Sequence, residues 1–182
     1  MYGPVLKGKL VTLRPPRTED AEAMTRWFED LEVIRFLNIQ HQPSLEMEKE
    51  WIESNAKDPS TIVWVVEVDG RAVGSTGIRG VDWKQGHGTT GTVISDKTLW
   101  GKGIGRELMR LRADYLFTHT PLRKLKSAYM EGNVASGRAQ ASAGYREIGR
   151  ARAEQWADGG WRDLILTELM REDWEKARRK SV

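Results

Sequence analysis

The stretch from Ile94 to Arg106, Ile-Ser-Asp-Lys-Thr-Leu-Trp-Gly-Lys-Gly-Ile-Gly-Arg, holds the densest chemical signal in the chain. Gly101, Gly103 and Gly105 stand at alternate positions, so every second residue there lacks a Cβ. Glycine permits positive φ and lets another group come close to the main chain. An apolar, β-branched run (Thr92, Val93, Ile94) leads in, and an amphipathic helical pattern from Glu107 to His119 leads out. The first N–H groups of such a helix have no intrahelical partner and sit at the positive end of its dipole. Strand, glycine loop and helix start thus outline an anion site suited to a phosphate or pyrophosphate. A plain tight turn into a helix has the same outline.

Two common phosphate loops do not fit. A nucleotide P-loop needs Gly-Lys followed by Ser or Thr to reach Mg²⁺, and Lys102 is followed by Gly103. A dinucleotide fingerprint needs a third glycine where Arg106 stands, and an acidic residue closing a second strand about 20 residues later.

The elements that must position this loop can be read from pattern. Lys9 to Arg14 reads as a strand stopped by Pro15-Pro16, and Thr18-Glu19-Asp20 as a helix N-cap before Ala21, Met24, Trp27 and Phe28. Ser44 caps a second helix over Leu45 to Asn55. Thr61 to Val68 is strongly β-prone, and Asp69-Gly70 signals a hairpin into Arg71 to Arg79. His87 to Ser95 feeds the glycine loop. The helix after it sets Ile104, Leu108, Leu111 and Tyr115 on one stripe, with Arg106, Arg110, Arg112 and Asp114 largely off it. Pro121 stops that helix. Lys124 to Met130 is a strand, Asn133 to Ala143 a short helix closed by Gly144, and Tyr145 to Trp156 and Trp161 to Met170 are the last strands. This order predicts an α/β fold: an antiparallel meander, then a right-handed β-α-β crossover, in one mixed sheet with helices on both faces. Ligands favour the carboxyl ends of strands where such a sheet changes direction, and the glycine loop lies at one such end.

Length and composition set the frame. A chain of 182 residues fits a single domain, residues 1–182. With 29 Lys+Arg against 26 Asp+Glu, the charge balance does not suggest nucleic acid. The basic run Ala177 to Lys180 reads as a solvated tail. No cysteine is present, which removes a disulfide framework, a thiolate metal site and a Cys nucleophile, and fits a cytoplasmic location. No apolar run has the length of a membrane span, so no membrane partner is expected. Trp27, Trp51 and Trp64 sit on core patterns, whereas Trp83, Trp156 and Trp161 fall in loops or at strand ends and are candidates for an acceptor pocket.

Trp100-Gly101-Lys102-Gly103-Ile104-Gly105 resembles the acetyl-CoA pyrophosphate loop of the GNAT (GCN5-related N-acetyltransferase) superfamily, usually Gln/Arg-x-x-Gly-x-Gly/Ala, with Trp100 where Gln or Arg is usual. Glu131-Gly132-Asn133-Val134-Ala135-Ser136-Gly137-Arg138 followed by Ala143-Gly144-Tyr145 resembles the family's Asn-x-x-Ser-x-Arg…Gly-Phe block. Gly8 to Arg14 with Thr18-Glu19-Asp20, and Trp161-Arg162-Asp163 with Met170 to Trp174, resemble the branch that includes ribosomal-protein alanine acetyltransferases. The likeness runs from Gly8 to Trp174.

That resemblance implies an acetyl-CoA-dependent N-acetyltransferase without a metal, acting by direct attack of a primary amine on the thioester. It implies that backbone groups of Val93, Ile94 and Ser95 align the pantetheine arm, and that the amides of Gly101, Lys102, Gly103, Ile104, Gly105 and Arg106 hold the pyrophosphate. Asn133 would bond the pantetheine or cap its helix, and Ser136 would protonate the departing thiolate. Arg138 would meet the 3′-phosphate or remain solvated. Many relatives carry a glutamate at the position of Thr89, which cannot act as a base. His87, two residues earlier on the same strand face, is then the candidate base, unless the amine loses its proton to solvent. An α-amino group of pKa ~7.7–8.0 is already about a tenth neutral at pH 7, whereas a lysine-type amine is neutral only at about the 10⁻³ to 10⁻⁴ level. The missing carboxylate therefore tilts the expected acceptor towards a protein N-terminus. A small-molecule amine (aminoglycoside or polyamine) and a non-catalytic acyl-CoA-binding domain are the alternatives, and a homodimer is also expected.

Overall fold

Ile62–Val68 (IVWVVEV) lacks polar alternation, and a strand of that kind needs cover on both faces. The computed structural model, which describes residues 1–39 and 41–179, supplies that cover. The strands are β1 (Leu6–Lys7), β2 (Thr12–Arg14), β3 (Ile62–Val68), β4 (Arg71–Asp82), β5 (His87–Ile94), β6 (Lys124–Met130), β7 (Arg146–Ala157) and β8 (Gly160–Met170). The helices are α1 (Asp20–Trp27), α2 (Leu31–Ile34), α3 (Leu45–Lys57), α4 (Ile104–His119), α5 (Val134–Ser142) and α6 (Arg171–Arg179). One sheet joins the strands in the order β1-β2-β3-β4-β5-β6-β8-β7. Neighbours run antiparallel except β5 and β6, the pair joined by the crossover through α4. The predicted meander and β-α-β crossover are thus both present.

Local chemistry explains the turns. Asp69 and Gly70 both have positive φ (49° and 75°), the requirement of the tight hairpin turn between β3 and β4. Asp158 and Gly159 (51° and 72°) repeat the device between β7 and β8. Ser44 caps α3 by accepting the Met47 N–H at 3.2 Å.

Helix α4 covers one face of the sheet: Ile104, Leu108, Leu116 and Phe117 pack on Leu13, Trp64, Ile78, Leu125 and Leu169. Helices α1 and α3 cover the other, where Ala21, Met24, Trp27 and Ile52 form a smaller cluster with Val93 against it. Trimming a fully buried aromatic such as Phe117 to alanine typically costs about 3–5 kcal/mol.

Three readings from the sequence change. Thr18 does not cap α1; Glu19 occupies the cap position without a side-chain bond, and Thr18 offers its carbonyl to the Ala21 N–H. Residues Arg171–Arg179 form α6, and its first turn is anchored. Arg171 donates to the carbonyls of Phe117, Thr120 and Leu122, and Trp174 Nε1 donates to Asp114 Oδ1 at 2.5 Å. Lys180 lies outside the described residues. Arg112, expected off the apolar stripe, is 1% exposed.

Candidate functional site

Strands β5 and β6 pair over only three residues, His87–Lys124, Gly88–Leu125 and Thr89–Lys126. One further pair of side-chain bonds follows, from Thr90 Oγ1 to Lys126 O (3.0 Å) and from Ser127 Oγ to Thr90 O (3.2 Å). Beyond them the strands part, and a cleft of 770 Å³ opens between Gly91–Ile94 and Ser127–Ala128. Its walls are α4, α5, the glycine loop and the segment around α2. This is the sheet's change of direction, at the carboxyl end of β5.

The exposed edge of β5 presents particular backbone groups. Ser95 N–H bonds Val73 O at 2.9 Å, and in an antiparallel ladder the residues that turn their polar groups to one neighbour alternate. Val93 and Gly91 therefore face β4, while Thr92 and Ile94 face the parted side. The Ile94 carbonyl there accepts Trp100 Nε1–H at 2.9 Å. Of the three residues expected to align a pantetheine arm, only Ile94 turns its backbone to the cleft. Ser95 does not line it at all, because its Oγ, like its N–H, is spent on Val73 O (3.0 Å). Thr92, a cleft residue facing the open edge, was missed, because strand phase depends on the β4 register rather than on local sequence.

The glycine loop folds as a short 3₁₀ turn (Lys97–Leu99) and then enters α4. Gly101 and Gly103 have φ of 74° and 87°, the left-handed region that costs a side-chain-bearing residue about 1–2 kcal/mol. Gly103 is the N-cap of α4 and supplies no side-chain acceptor, so the first amides of the helix are uncapped. Gly101, Lys102, Gly103, Gly105 and Arg106 line the cleft; the Ile104 side chain is buried in the core, leaving only its amide on the loop. Glu107, an acidic residue in that first turn, would oppose an anion. Its carboxylate is instead committed to the amides of Lys9 (2.6 Å) and Leu10 (2.7 Å).

Asn133 Oδ1 accepts the Ser136 N–H at 3.0 Å, the N-cap of α5, and both residues line the cleft, as does Arg138. His87 does not. It opens β5 at the far end, opposite Asp82 and Lys124. Gly91 is four residues further on, about 13 Å along a strand. His87 is therefore not placed to take a proton in the cleft. The three tryptophans nominated for an acceptor pocket also lie elsewhere: Trp83 Nε1 bonds Pro59 O at 3.0 Å, and Trp156 and Trp161 stack edge-on at 5.5 Å on the surface.

Two features of the cleft were not visible in the sequence. Arg112 projects from α4 to Thr76 Oγ1 (2.5 Å), Gly91 O (2.8 Å), Thr92 Oγ1 (3.1 Å) and Tyr145 OH (3.3 Å), and its Nε has no partner. Among the described residues the cation is buried against neutral oxygens alone. Glu32, just inside α2, is the one carboxylate among the described residues lining the cleft. Lys97 meets Glu32 at 2.9 Å and Asp30 at 2.8 Å, and these bonds, Asp30's first, hold its ammonium above the usual lysine range. Lys102, Arg106, Arg112 and Arg138 set four cations against that carboxylate, in a chain whose charges nearly cancel. Such a cleft suits an anionic ligand.

Residues 11–146 match the model of the acetyltransferase (GNAT) domain, and the chain belongs to that family. It is an N-acetyltransferase of the GNAT type. The chain is 27% identical, over 94% of its length and 100% of the relative's, to a Bacillus subtilis (strain 168) protein described as "Probable N-acetyltransferase YjcK". It is 32% identical to the [ribosomal protein uS5]-alanine N-acetyltransferase of Escherichia coli (strain K12), over 43% of this chain and 40% of that one. Its fold superposes with a TM-score of 0.84 on the spermidine N-acetyltransferase of Vibrio cholerae in complex with CoA and spermine, at 18% identity, covering 92% of this chain and 99% of that one.

Proposed function

We propose that the chain, working as a single acetyltransferase domain in the cytoplasm, transfers acetyl from acetyl-CoA to an α-amino group, with a peptide or protein N-terminus as acceptor. One observation carries this reading. Among the described residues lining the cleft there is no histidine and no tyrosine, and the one carboxylate, Glu32, already faces Lys97. A site so poor in bases favours an amine that reaches it neutral, and at pH 7 an α-amine exceeds a lysine-type amine in neutral fraction by about two orders of magnitude or more.

In this reading the amides from Gly101 to Arg106 hold the pyrophosphate, with Lys102 and Arg106 beside it. The open edge of β5 at Thr92 and Ile94 aligns the pantetheine arm and polarises the thioester carbonyl. The amine nitrogen attacks that carbonyl, the C–S bond breaks, and Ser136 gives its hydroxyl proton to the departing sulfur. Solvent takes the proton the amine releases and restores that of Ser136.

The test is CoA release with short peptides of free α-amine, the same peptides blocked at the N-terminus but carrying lysine, and spermidine, followed by mass spectrometry of the product. The expected result is acetylation of the free α-amine, with the acid limb of kcat/KM following the acceptor's own pKa and surviving His87→Ala. Preference for spermidine or lysine, or an acid limb that ignores the amine, would overturn the reading.

A further inference from the structure

Ser136 Oγ has a buried side chain as its neighbour. Gln140, one turn further along α5, is 4% exposed and wedged between the helix and the sheet. Its Nε2 lies 3.3 Å from Ala128 O and 3.2 Å from Ser136 Oγ, and its Oε1 accepts Thr167 Oγ1–H at 2.5 Å. The orientation of this amide is fixed by chemistry. A backbone carbonyl can only accept, so the NH₂ must face Ala128 and Ser136, and the oxygen must face Thr167.

Ser136 Oγ therefore accepts a hydrogen bond from Gln140 and donates none to it. A helical serine commonly donates to the carbonyl four residues earlier. That carbonyl, of Gly132, accepts the Val134 N–H at 2.9 Å and, among the described residues, no bond from the Ser136 hydroxyl. Among the described residues no hydrogen bond uses the Ser136 hydroxyl proton, while its oxygen is pinned from behind. A buried amide with every bond satisfied is rigid, so the pin is firm.

We propose that Gln140, backed by Thr167, is a positioning residue that holds the Ser136 hydroxyl with its proton directed into the cleft, ready for the leaving thiolate. This rests on the reading of Ser136 as proton donor. As the amine forms its C–N bond and the C–S bond breaks, sulfur leaves with the bonding pair and takes that proton. Gln140 keeps its own protons throughout.

The test is a double-mutant cycle on the full chain, reading kcat and, by calorimetry, the Kd for acetyl-CoA. Ser136→Ala should lower kcat by about 10² or more, in the range of general-acid contributions. Gln140→Leu removes the pin and should lower kcat about tenfold. Gln140→Glu places an acceptor behind Ser136, draws the proton backwards, and should lower kcat further than leucine does, about as far as Ser136→Ala. Thr167→Val, the mildest change, should lower kcat slightly. In each single variant the Kd should stay within about threefold, and in a Ser136→Ala background the Gln140 changes should have no further effect on kcat.

If Gln140 only fills space, leucine and glutamate lower kcat and Tm together, and they do so equally with and without Ser136; that outcome overturns the proposal. If Ser136→Ala leaves kcat within about twofold of the parent, the proton-donor reading fails first and takes this one with it. Should Gln140→Glu not fold, the Ser136→Ala and Gln140→Leu cycle decides alone.

Discussion

Arg14 and Arg112 are both buried, at 8% and 1% exposure, and their surroundings are opposite. Arg14 donates to both oxygens of Asp20 (2.8 and 2.7 Å) and, through Nε, to Glu67 (2.7 Å). Its charge is matched inside the fold, where it ties β2 and β3 to the start of α1. Arg112 has hydroxyls and a carbonyl around it but no carboxylate within ion-pair distance among the described residues. A buried charge without a partner costs several kcal/mol, so the fold tolerates at the cleft what it neutralises elsewhere. Under the proposed function the unmatched cation lies at the end of the sheet where the anionic cofactor would sit, and the matched one at the rim near α1.

Removing each cation should separate the two roles. Arg14→Leu strands the Asp20 carboxylate in a buried site, and breaking one partner of such a pair costs about 3–5 kcal/mol. Urea titration should show that loss, while kcat per folded molecule stays near the parent value. Arg112→Met should cost less, about 1–3 kcal/mol. Its former partners can satisfy one another, since Thr76 Oγ1 and Thr92 Oγ1 are 3.0 Å apart and Thr90 Oγ1 and Tyr145 OH 3.1 Å. The functional cost should be reversed: the rise in Tm produced by saturating acetyl-CoA should shrink in Arg112→Met and persist in Arg14→Leu. Equal shrinkage in both would erase the distinction. A smaller effect should follow Gly103→Ala, about 1–2 kcal/mol from the φ of 87°, with acetyl-CoA affinity reduced because the loop amides turn. Gly105→Ala should be milder still, since a Cβ there meets only Ala139 Cβ at 3.6 Å and Ile94 Cδ1 at 3.8 Å, ordinary contacts.

What the sequence disclosed divides along the same line. Local signals were readable: Asp69-Gly70 for the hairpin, Ser44 for a cap, Lys124–Met130 for a strand, alternating glycines before α4, Asn133 and Gly144 bracketing α5. These depend on backbone dihedrals and neighbours within a few residues. The polar interior of the cleft depends on long-range register and was not readable. Arg112 falls off the apolar stripe of α4, and its burial follows from acceptors in β4, β5 and Tyr145, all distant in sequence. Ser95 and His87 were plausible in a strand of known direction, but which groups face the opening follows from where β5 leaves β6. Glu32 belongs to a four-residue helix too short to show periodicity, and Trp156 with Trp161 formed a surface pair across a hairpin instead of lining a pocket.

Acid separates the two arginines by protonating the carboxylate beside one of them. Burial alone would push the Asp20 carboxyl up, but Arg14 and the Arg17 N–H outweigh it and hold the group below the usual aspartate range. A carboxyl depressed in the folded state contributes stability above its unfolded pKa, ~3.9, and that contribution is lost as pH falls through the lower folded value. In that window the unfolded chain binds more protons, so ΔG of unfolding should rise with pH. Among the described residues Arg112 faces only hydroxyls and a carbonyl, with no carboxylate that could take up a proton in acid. Acid unfolding followed by circular dichroism should therefore lose part of its slope below pH ~4 in Asp20→Asn, and keep it in Arg112→Met. If Arg112→Met flattened the acid limb as much as Asp20→Asn does, the cation at the cleft would be coupled to a carboxylate after all, and the contrast with Arg14 would fail.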